Sequence, residues 1–477
     1  MAILMPPKTK AQSKPSPADE TLTAYQQAFE QRIAEDLAAG APDWLGTLRQ
    51  QAFTRFEALG MPNPRKDEAW KYVPVRTIAS TPYALADAEN TYLKRAEILP
   101  HLIAAAAESH IVLVDGVYSA ELSTVKLPSD SGVVVSDLNS ALKTHGKLLQ
   151  KHLAKTAIKD PDPFVALNTA LFGNGVFVYL PQNITLEKPV QILLVTTGGN
   201  EPKAVFNRVL IVGEKAARAN ILVQAVGLNA GQRLQHIACE VLADENAEID
   251  ITFFRRANAF MHQLANTQVV QQAGSKVAVA TIALDGMPGP VVDRHSVTID
   301  LLGEAAECVL NGLSVLSGTT EVYNHTVINH HVPNCQSSQI YKNILDDEAK
   351  GEFFGTIVVD KGADGTNSQQ INRTLLLSNN AKIWTRPQLQ ISADDVKCAH
   401  GAAVGQLDDT QMFYLKSRGI DAELATCILT YGFAEEVVEK IADPAIRQYL
   451  DNLLLASLNH AQNPLSCDHV CNTCEIE

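Results

Sequence analysis

The chain has 477 residues, of which 46% are hydrophobic and only 6% aromatic, and it carries a formal net charge of −14. Nucleic-acid binders concentrate positive charge because phosphate neutralisation drives their affinity, so this acidic balance argues against nucleic-acid binding. No apolar run approaches the roughly 18 residues that span a bilayer, and the first residues lack a signal-peptide core. We therefore expect a cytoplasmic protein without a membrane partner.

The N-terminal part is helical in pattern. Residues 1–18 are rich in Lys, Ser and Pro and predict a disordered N-terminus. Residues 19–105 predict an N-terminal helical domain, because apolar side chains recur three or four positions apart. A second helix is predicted from Pro42 to about Leu59, where Gly60 and two nearby prolines end it.

The middle of the chain, residues 106–404, predicts short β-strands, with a helical insertion at about 136–173. A small polar turn followed by an alternating strand recurs at steps of 30, 30 and 28 residues, anchored on Ala217, Ala247, Val277 and Ala305. A β-sandwich also has many short strands but is not expected to keep such a period. Fixed-period self-similarity is typical of solenoids, so we predict a β-helix.

The last part returns to helices. Residues 405–460 predict a C-terminal helical domain whose breaks fall at Gly419 and at Asp443-Pro444. Its apolar stripe is explained either by packing against the β-helix or by a partner-docking face. Residues 461–477 form a Cys-rich tail.

Several catalytic motifs are missing from the sequence. A P-loop needs two glycines and a Lys-Ser/Thr pair around the phosphates, and the fragment His145-Gly146-Lys147 has neither the upstream glycine nor the hydroxyl. The dinucleotide-binding, nucleophile-elbow and zinc-protease motifs are absent as well. The sequence therefore supports neither autonomous ATP hydrolysis nor ordinary hydrolase chemistry, and we expect a non-enzyme.

Cys398 and His400 are the first candidate ligands. They are two positions apart, so on an extended strand both side chains point the same way. A thiolate and an imidazole side by side bind Fe or Zn, but two ligands are too few for a closed site, so a second chain would have to add others. The alternative is a buried cysteine and a hydrogen-bonded histidine at a strand end.

A second cluster, residues 325–335, contains three histidines and Cys335. On a strand His330 and His331 point to opposite faces, so not all of these groups can converge on one metal ion. A metal site formed by some of them and a polar face of the solenoid both remain open.

The tail has the strongest ligand spacing. Cys467, Cys471 and Cys474 follow a C-x3-C-x2-C pattern, with His469 between the first two. Such a run can bring three thiolates to an iron–sulfur cluster, or combine with the histidine around zinc. The alternative is a flexible tail with reactive thiols.

Several longer segments resemble the SufB/SufD family of iron–sulfur cluster assembly proteins. They are residues 64–72, 354–358, 385–391, 393–408 and 413–420. In the SufB branch the histidine equivalent to His400 is usually followed by Glu-Ala, whereas here Gly401 follows it, which favours the SufD branch.

The resemblance implies a mainly β fold, a right-handed parallel β-helix between helical ends. It implies a non-catalytic scaffold subunit of the SUF system that forms a heterodimer with a SufB-like subunit and docks a SufC-like ABC ATPase on its C-terminal helices. A homodimer is an alternative partner state. We assign the ATPase contact to Phe413, Tyr414, Arg418 and Phe433.

In that family the Cys-x-His strand lies at the interface between the two subunits, where iron or nascent cluster is held. The resemblance therefore implies that His400 is an interface ligand and Cys398 a weaker one, with transient iron or cluster rather than a tightly bound cofactor. ATP-driven movement of the ATPase is expected to shift the C-terminal helices and open the interface. The tail departs from the usual family ending and gains no support.

Three alternatives remain. The chain is a SufB-like scaffold that carries the cluster itself, a β-helix enzyme acting on polysaccharide, or a plain adaptor. Asp394 and Asp395 are adjacent and would face opposite sides of a strand, which is poor for paired acid and base catalysis. Co-purification of an ATPase and a second β-helical subunit distinguishes the scaffold from a carbohydrate enzyme.

Overall fold

The computed structural model describes residues 17–86, 93–128, 131–286 and 289–460. Within them the chain is a parallel β-solenoid of about eight turns with helices at its N-terminal and C-terminal ends, which confirms the predicted fold class. Its right-handed sense stays a prediction. The tail prediction for residues 461–477, and most of the disordered segment predicted for 1–18, lie outside the described residues.

The helices fall into an N-terminal group and a C-terminal group. They are α1 (Pro17–Ala38), α2 (Asp43–Leu59), α3 (Val75–Ala79), α4 (Arg95–Ile98), α5 (Leu138–Thr144), α6 (Gly146–His152), α7 (Pro163–Leu171), α8 (Asp409–Ser417), α9 (Ala422–Val438) and α10 (Pro444–His460). Aspartates at 137, 162, 408 and 421 begin α5, α7, α8 and α9, because each carboxylate accepts a backbone N–H of the first turn. Among the described helices, none is long and apolar enough to cross a membrane.

The strands form two sheets. They are β1 (Ala84–Leu85), β2 (Ser109–Val114), β3 (Val117–Tyr118), β4 (Thr124–Val125), β5 (Val134–Asp137), β6 (Asn174–Leu180), β7 (Val190–Thr196), β8 (Gly199–Gly213), β9 (Arg218–Gly227), β10 (Gly231–Ala243), β11 (Glu248–Arg256), β12 (Met261–Gln271), β13 (Lys276–Leu284), β14 (Val292–Leu301), β15 (Glu307–Leu316), β16 (Glu321–His330), β17 (Gln336–Leu345), β18 (Lys350–Val359), β19 (Thr366–Leu376), β20 (Lys382–Ile391) and β21 (Val396–Gly405). Sheet A stacks the even strands from β6 to β20, and sheet B stacks the odd strands from β7 to β21. Each solenoid turn therefore contributes one strand to each sheet.

The sequence period corresponds to one turn of the solenoid. Glu248 pairs with Arg218 on one side and with Lys276 on the other, and Lys276 pairs with Glu307. Ala217 and Ala247 each precede a member of this series by one residue, and the equivalent residues of the next two turns are Ser275 and Ala306. The anchors at Val277 and Ala305 are therefore displaced from this frame. The average period was therefore easier to predict than the individual pairs.

A left-handed residue recurs at one corner of successive turns. The φ angles are between 56° and 63° at Ala216, Asn246, Gly274, Ala305 and Asn334. Small residues, glycine and asparagine tolerate this region better than β-branched or bulky residues do. This requirement explains the small polar turns that repeat in the sequence.

Three apolar layers stabilise the molecule. Inside the solenoid, Val, Ile, Leu and Ala side chains of the earlier turns form a continuous core. The outer face of sheet A is covered by α1, α2 and α7. The outer face of sheet B is covered by α9 and α10, and Tyr449 of α10 accepts a hydrogen bond of 2.7 Å from Gln224 on β9.

Buried ion pairs fasten the N-terminal helices to sheet A. Arg208 on β8 and Glu240 on β10 lie 2.6 Å apart and are both buried. Arg294 on β14 lies 2.9 Å from Asp162, the residue that caps α7, and its guanidinium stacks 3.8 Å from the Trp70 ring. Removing one member of such a pair leaves an uncompensated buried charge, so these contacts hold the helices in one position.

Residues 64–72, which we call the strap, connect the N-terminal helices with the last turn. Tyr72 stacks on Trp384 of β20 with ring centroids 4.9 Å apart. Arg386 of β20 forms ion pairs with Glu68 of the strap and with the buried Glu352 on β18. The strap therefore supports the last turn from outside.

The two ends of the solenoid differ. At the N-terminal end, β5 pairs antiparallel with β6, and β3 and β4 pair antiparallel with β2, and most residues of β6 and β7 are buried. At the C-terminal end no residue of β20 or β21 is buried. Pro387 lies in β20, as expected for a strand whose outer edge is unpaired.

Candidate functional site

The last strand, β21, carries both candidate ligands on the inner face of the solenoid. His400 pairs in register with Gln370 of β19, and Cys398 pairs with Ser368. Gln370 and Ser368 are buried inside the solenoid. Paired residues of parallel strands point to the same face, so Cys398 and His400 continue the interior of the solenoid into its last turn. His400 is exposed and Cys398 half-buried because no further turn covers them.

A chain of polar side chains leads through the interior toward His400. We call Thr326, Gln339 and Gln370 the amide column. Gln370 Nε2 donates to Gln339 Oε1 at 2.7 Å, and Gln339 Nε2 donates to Thr326 Oγ1 at 2.7 Å. All three side chains are fully buried.

A second chain leads toward Cys398. We call His330, Ser337 and Ser368 the hydroxyl column. His330 Nε2 lies 2.9 Å from Ser337 Oγ, which lies 2.6 Å from Ser368 Oγ. Burial lowers the pKa of His330 to about 4, so this imidazole is neutral at physiological pH.

The two candidate ligands have different proton chemistry. Burial raises the pKa of the Cys398 thiol, and a backbone hydrogen bond with Ser368 opposes this only in part. A thiol must lose its proton before it binds a metal ion, whereas an imidazole nitrogen can coordinate in its neutral form. His400 is therefore the readier ligand of the two.

The donor set fits iron or zinc as a shared cargo. A thiol and an imidazole are both ligands for these metals, and both lie at the uncovered end of the solenoid. Among the described residues, no group of three or more His, Cys, Asp or Glu side chains is arranged to hold a metal ion. Two donors from this chain would leave the remaining positions for ligands from elsewhere.

The histidine cluster at residues 325–335 is divided among three environments. His325 lies on the outer face of sheet A, stacked 4.9 Å from Phe354. His330 belongs to the hydroxyl column, while His331 lies between the carboxylates of Asp300 and Asp360. Burial lowers the pKa of His331, but the hydrogen bonds with those two carboxylates outweigh it, so the net shift is upward. These imidazoles do not share an ion.

The residues assigned to ATPase docking separate into two groups. Phe413 and Tyr414 on α8 are 74% and 56% exposed, and Arg418 stacks on Tyr414 at 5.1 Å. Phe433 on α9 is half-buried, with Lys342 of β17 4.4 Å from its ring. Only the α8 group is presented outward as an apolar surface.

A groove separates these helices from the last turn. It has a volume of about 570 Å³ and lies between β21 and helices α8 and α9, with Val404, Gln411 and Ile428 among its lining residues. The last strand therefore has free space on its helical side as well as beyond its edge.

Within the described ranges, the remaining cysteines and the acidic candidates are not arranged as a metal site. None of the five cysteines among the described residues forms a disulfide bond. Asp394 and Asp395 belong to the exposed corner between β20 and β21, where their backbone N–H groups both donate to Asp364 at 3.3 Å. Cys467, His469, Cys471 and Cys474 lie outside the described residues.

Sequence reasoning missed the two columns. Their signal was present as a repeat, since Ser337-Ser338-Gln339, Ser368-Gln369-Gln370 and Cys398-Ala399-His400 occupy the same place in three successive turns. Serine and glutamine usually lie on surfaces, so the repeat becomes informative only when the register of the turns is known.

Comparisons with known proteins give a consistent result. Residues 194–433 match the SUF system FeS cluster assembly SufBD core domain, and residues 19–192 match the SufBD protein N-terminal region. An iron–sulfur cluster assembly SufBD family protein of Synechocystis is 29% identical over 88% of this chain and 90% of its own length. The iron–sulfur cluster assembly protein SufD of Bacillus subtilis is 28% identical over 90% of this chain and 96% of its own. The SufD protein of Escherichia coli is 27% identical over 84% and 90%.

Proposed function

This chain belongs to the SufBD family of iron–sulfur cluster assembly proteins, and on that premise we propose that it is the SufD-type scaffold subunit of a SUF assembly complex. In this proposal it is non-catalytic, pairs with a SufB-like subunit through its last turn, and docks a SufC-like ATPase through α8. The observation that carries the proposal is the exposure of His400 on an inner face that no further turn covers.

The strand edges of the last turn support pairing there. β20 and β21 each have a neighbour on one side only, so the other side presents unpaired backbone N–H and C=O groups. Ile391 and Val404 add exposed apolar surface there. A sister subunit with a similar open turn would extend both sheets and cover these side chains.

The cargo is iron or a nascent cluster. His400 would offer a neutral imidazole, Cys398 would bind after losing its thiol proton, and the sister subunit would add the remaining ligands. Because the ligands come from two chains, release of cargo can result from separating the chains. This chain supplies position and ligands, and the sulfur transfer itself belongs to other components.

The ATPase would act on the same end of the molecule. α8 begins shortly after β21 ends, and Phe413 and Tyr414 on it are exposed. A displacement of α8 and α9 driven by ATP binding would widen or close the groove beside Val404. Nucleotide binding can shift this equilibrium only if the ATPase binds the two arrangements with different affinities.

The test replaces one imidazole at a time in the co-expressed complex. We expect His400→Ala to keep the complex intact and to lower the iron and acid-labile sulfide recovered anaerobically by several-fold. His331→Ala is the matched control, because it removes an imidazole whose partners are Asp300 and Asp360 rather than the last turn. An unchanged cluster yield in His400→Ala removes the ligand role, and failure of the complex to form assigns His400 to pairing instead.

The spacing of Cys467, Cys471 and Cys474 favours a second candidate, a SufB-like subunit that carries the cluster itself. Deleting residues 461–477 separates the two candidates. If the tail carries the cluster, the truncated chain loses its iron while His400→Ala keeps it. The favoured proposal expects the opposite pattern.

A further inference from the structure

The amide column has a direction. Gln370 directs its amide N–H toward Gln339, and Gln339 directs its own toward Thr326, so each donor points to the same side, away from His400. The carbonyl oxygen of Gln339 consequently points toward the open end of the solenoid, and Gln370 Oε1 is the acceptor at the end of the chain. Hydrogen bonds in such a chain reinforce one another, which holds every amide in the same orientation.

The last carbonyl oxygen of this chain has no partner. Gln370 Oε1 is buried and accepts no hydrogen bond from the described residues, although Gln370 is 0% exposed. A buried acceptor without a donor is unfavourable, because it has lost its hydrogen bonds to water without gaining one in the protein. The residue paired with Gln370 on the open side is His400, and an imidazole carries at least one N–H that can donate.

We propose that Gln370 is the positioning residue for His400. The two side chains are not hydrogen-bonded in the structure, but when the exposed imidazole of His400 turns inward, Gln370 Oε1 accepts a hydrogen bond from one of its ring nitrogens. That bond fixes the tautomer and leaves the lone pair of the other nitrogen directed outward to the cargo. Histidine ligands commonly donate their second ring N–H to an acceptor in this way, and the bond orients the ring and raises its basicity. The metal-binding part of the inference rests on the proposed function, whereas the hydrogen bond does not.

The surroundings select an acceptor at this position. Because Nε2 of Gln370 is already bound to Gln339, only the carbonyl is available to His400. Gly355 on β18 makes room for the amide, since a Cβ at that position would lie 2.5 Å from Nε2. Ser368, which pairs with Cys398, differs from Gln370 in this respect. Its hydroxyl can both donate and accept, so it does not fix the direction of a hydrogen bond with its neighbour.

The first measurement needs no metal. Histidine-selective ¹⁵N labelling of the full-length chain reports the tautomer of each imidazole, and the signal that disappears in His400→Ala identifies residue 400. We expect a single tautomer in the unsubstituted chain and a mixture of both in Gln370→Met, which keeps the side-chain length without the carbonyl. A mixture already present in the unsubstituted chain would overturn the proposal.

The second measurement uses Co²⁺ alone as the probe, bound to the co-expressed complex. We expect Gln370→Met to weaken Co²⁺ binding about 10- to 100-fold. Combined with His400→Ala, Gln370→Met should cause no further loss. An equal loss with and without His400 would mean that Gln370 acts only through folding, which contradicts the proposal.

The two measurements separate this inference from the proposed function. A fixed tautomer together with Co²⁺ binding that ignores His400→Ala would keep the positioning role and remove the ligand role. Co²⁺ binding that depends on His400 but not on Gln370 would keep the ligand role of His400 and remove the positioning role of Gln370.

Discussion

The two ends of the solenoid are built from similar strands, but the elements that cover the outermost strands differ. At the N-terminal end, antiparallel strands and helices adjoin the first turns, and aromatic side chains such as Phe164 and Phe177 are fully buried there. At the C-terminal end, α8 does not cover the last turn, and α9 and α10 fold back along sheet B toward the first turns. The difference shows that strand pairing alone does not decide the role of an end, since the path of the chain beyond the outermost strand matters as much.

The contrast also separates stability from function. The ion pairs Arg208–Glu240 and Arg294–Asp162 are buried under the N-terminal helices, whereas the candidate ligands and the exposed Phe413 lie at the other end. If this division is real, equivalent substitutions at the two ends should have different consequences. Three predictions test it, in order of decreasing effect.

The largest effect is expected from a matched pair of phenylalanine truncations. Phe164 is buried 5.4 Å from the Trp70 ring, so Phe164→Ala should lower the free energy of unfolding by about 3–5 kcal/mol. Phe413 is 74% exposed, so Phe413→Ala should lower it by less than about 0.5 kcal/mol. Urea unfolding measures both values, and equal losses would contradict the division between the ends.

A smaller effect is expected where the strap supports the last turn. Arg386→Ala removes the partner of the buried Glu352 and the contact with Glu68, so we expect a loss of about 2–3 kcal/mol. The amides of β20 should exchange hydrogen faster, while those of β7 keep their protection. Arg373→Ala is the control, since Arg373 is half-exposed and its ion pair with Glu436 is 3.8 Å long, and it should change neither measurement.

The smallest effect is a pH dependence at the N-terminal end. Burial, followed by repulsion from Asp162, raises the pKa of Asp160 to about 6 from its ordinary value of 3.8. The folded state therefore holds this proton more tightly than the unfolded state does, and the stabilisation present below pH 4 is lost as the pH rises through 6.

Asp160→Asn should remove that loss. We compare the free energy of unfolding of Asp160→Asn with that of the unsubstituted chain at each pH. From pH 4 to pH 7 this difference should change by about 2 kcal/mol in favour of the variant. Gln268 hydrogen-bonds this carboxylate and has a carbonyl oxygen without a partner, so its amide can turn to accept from the asparagine. Unfolding curves at the two pH values measure the difference, and a constant difference would show that Asp160 stays charged throughout.

The sequence predicted the repeated part of the molecule well. The period near 30 residues was visible because each left-handed corner needs a small residue, as at Ala216 and Asn246. The shared face of Cys398 and His400 was predicted from strand alternation, and their register with Ser368 and Gln370 agrees with it.

Other features depend on tertiary structure and could not be predicted. The apolar stripe of α10, including Leu450 and Leu454, was compatible with packing or with docking, and it packs on sheet B. Gln339 and Gln370 have the composition of surface residues and become an internal column only because the chain coils around them. The last turn stays uncovered because of the direction in which the chain continues from β21 into α8, and no local sequence pattern specifies that direction.

The asymmetry of the ends also limits self-association. A solenoid with long unpaired strand edges at both ends could associate head to tail indefinitely and form a fibre. Within the part of the chain that the structure describes, the long outermost strands are β20 and β21, with 10 residues each, whereas the outermost strands at the other end, β3 and β5, have 2 and 4. Two copies that met through β20 and β21 would pair each other's long edges and leave none for a third copy. Under the proposed function, a surplus of this chain over its partner would therefore accumulate as closed pairs rather than as polymer.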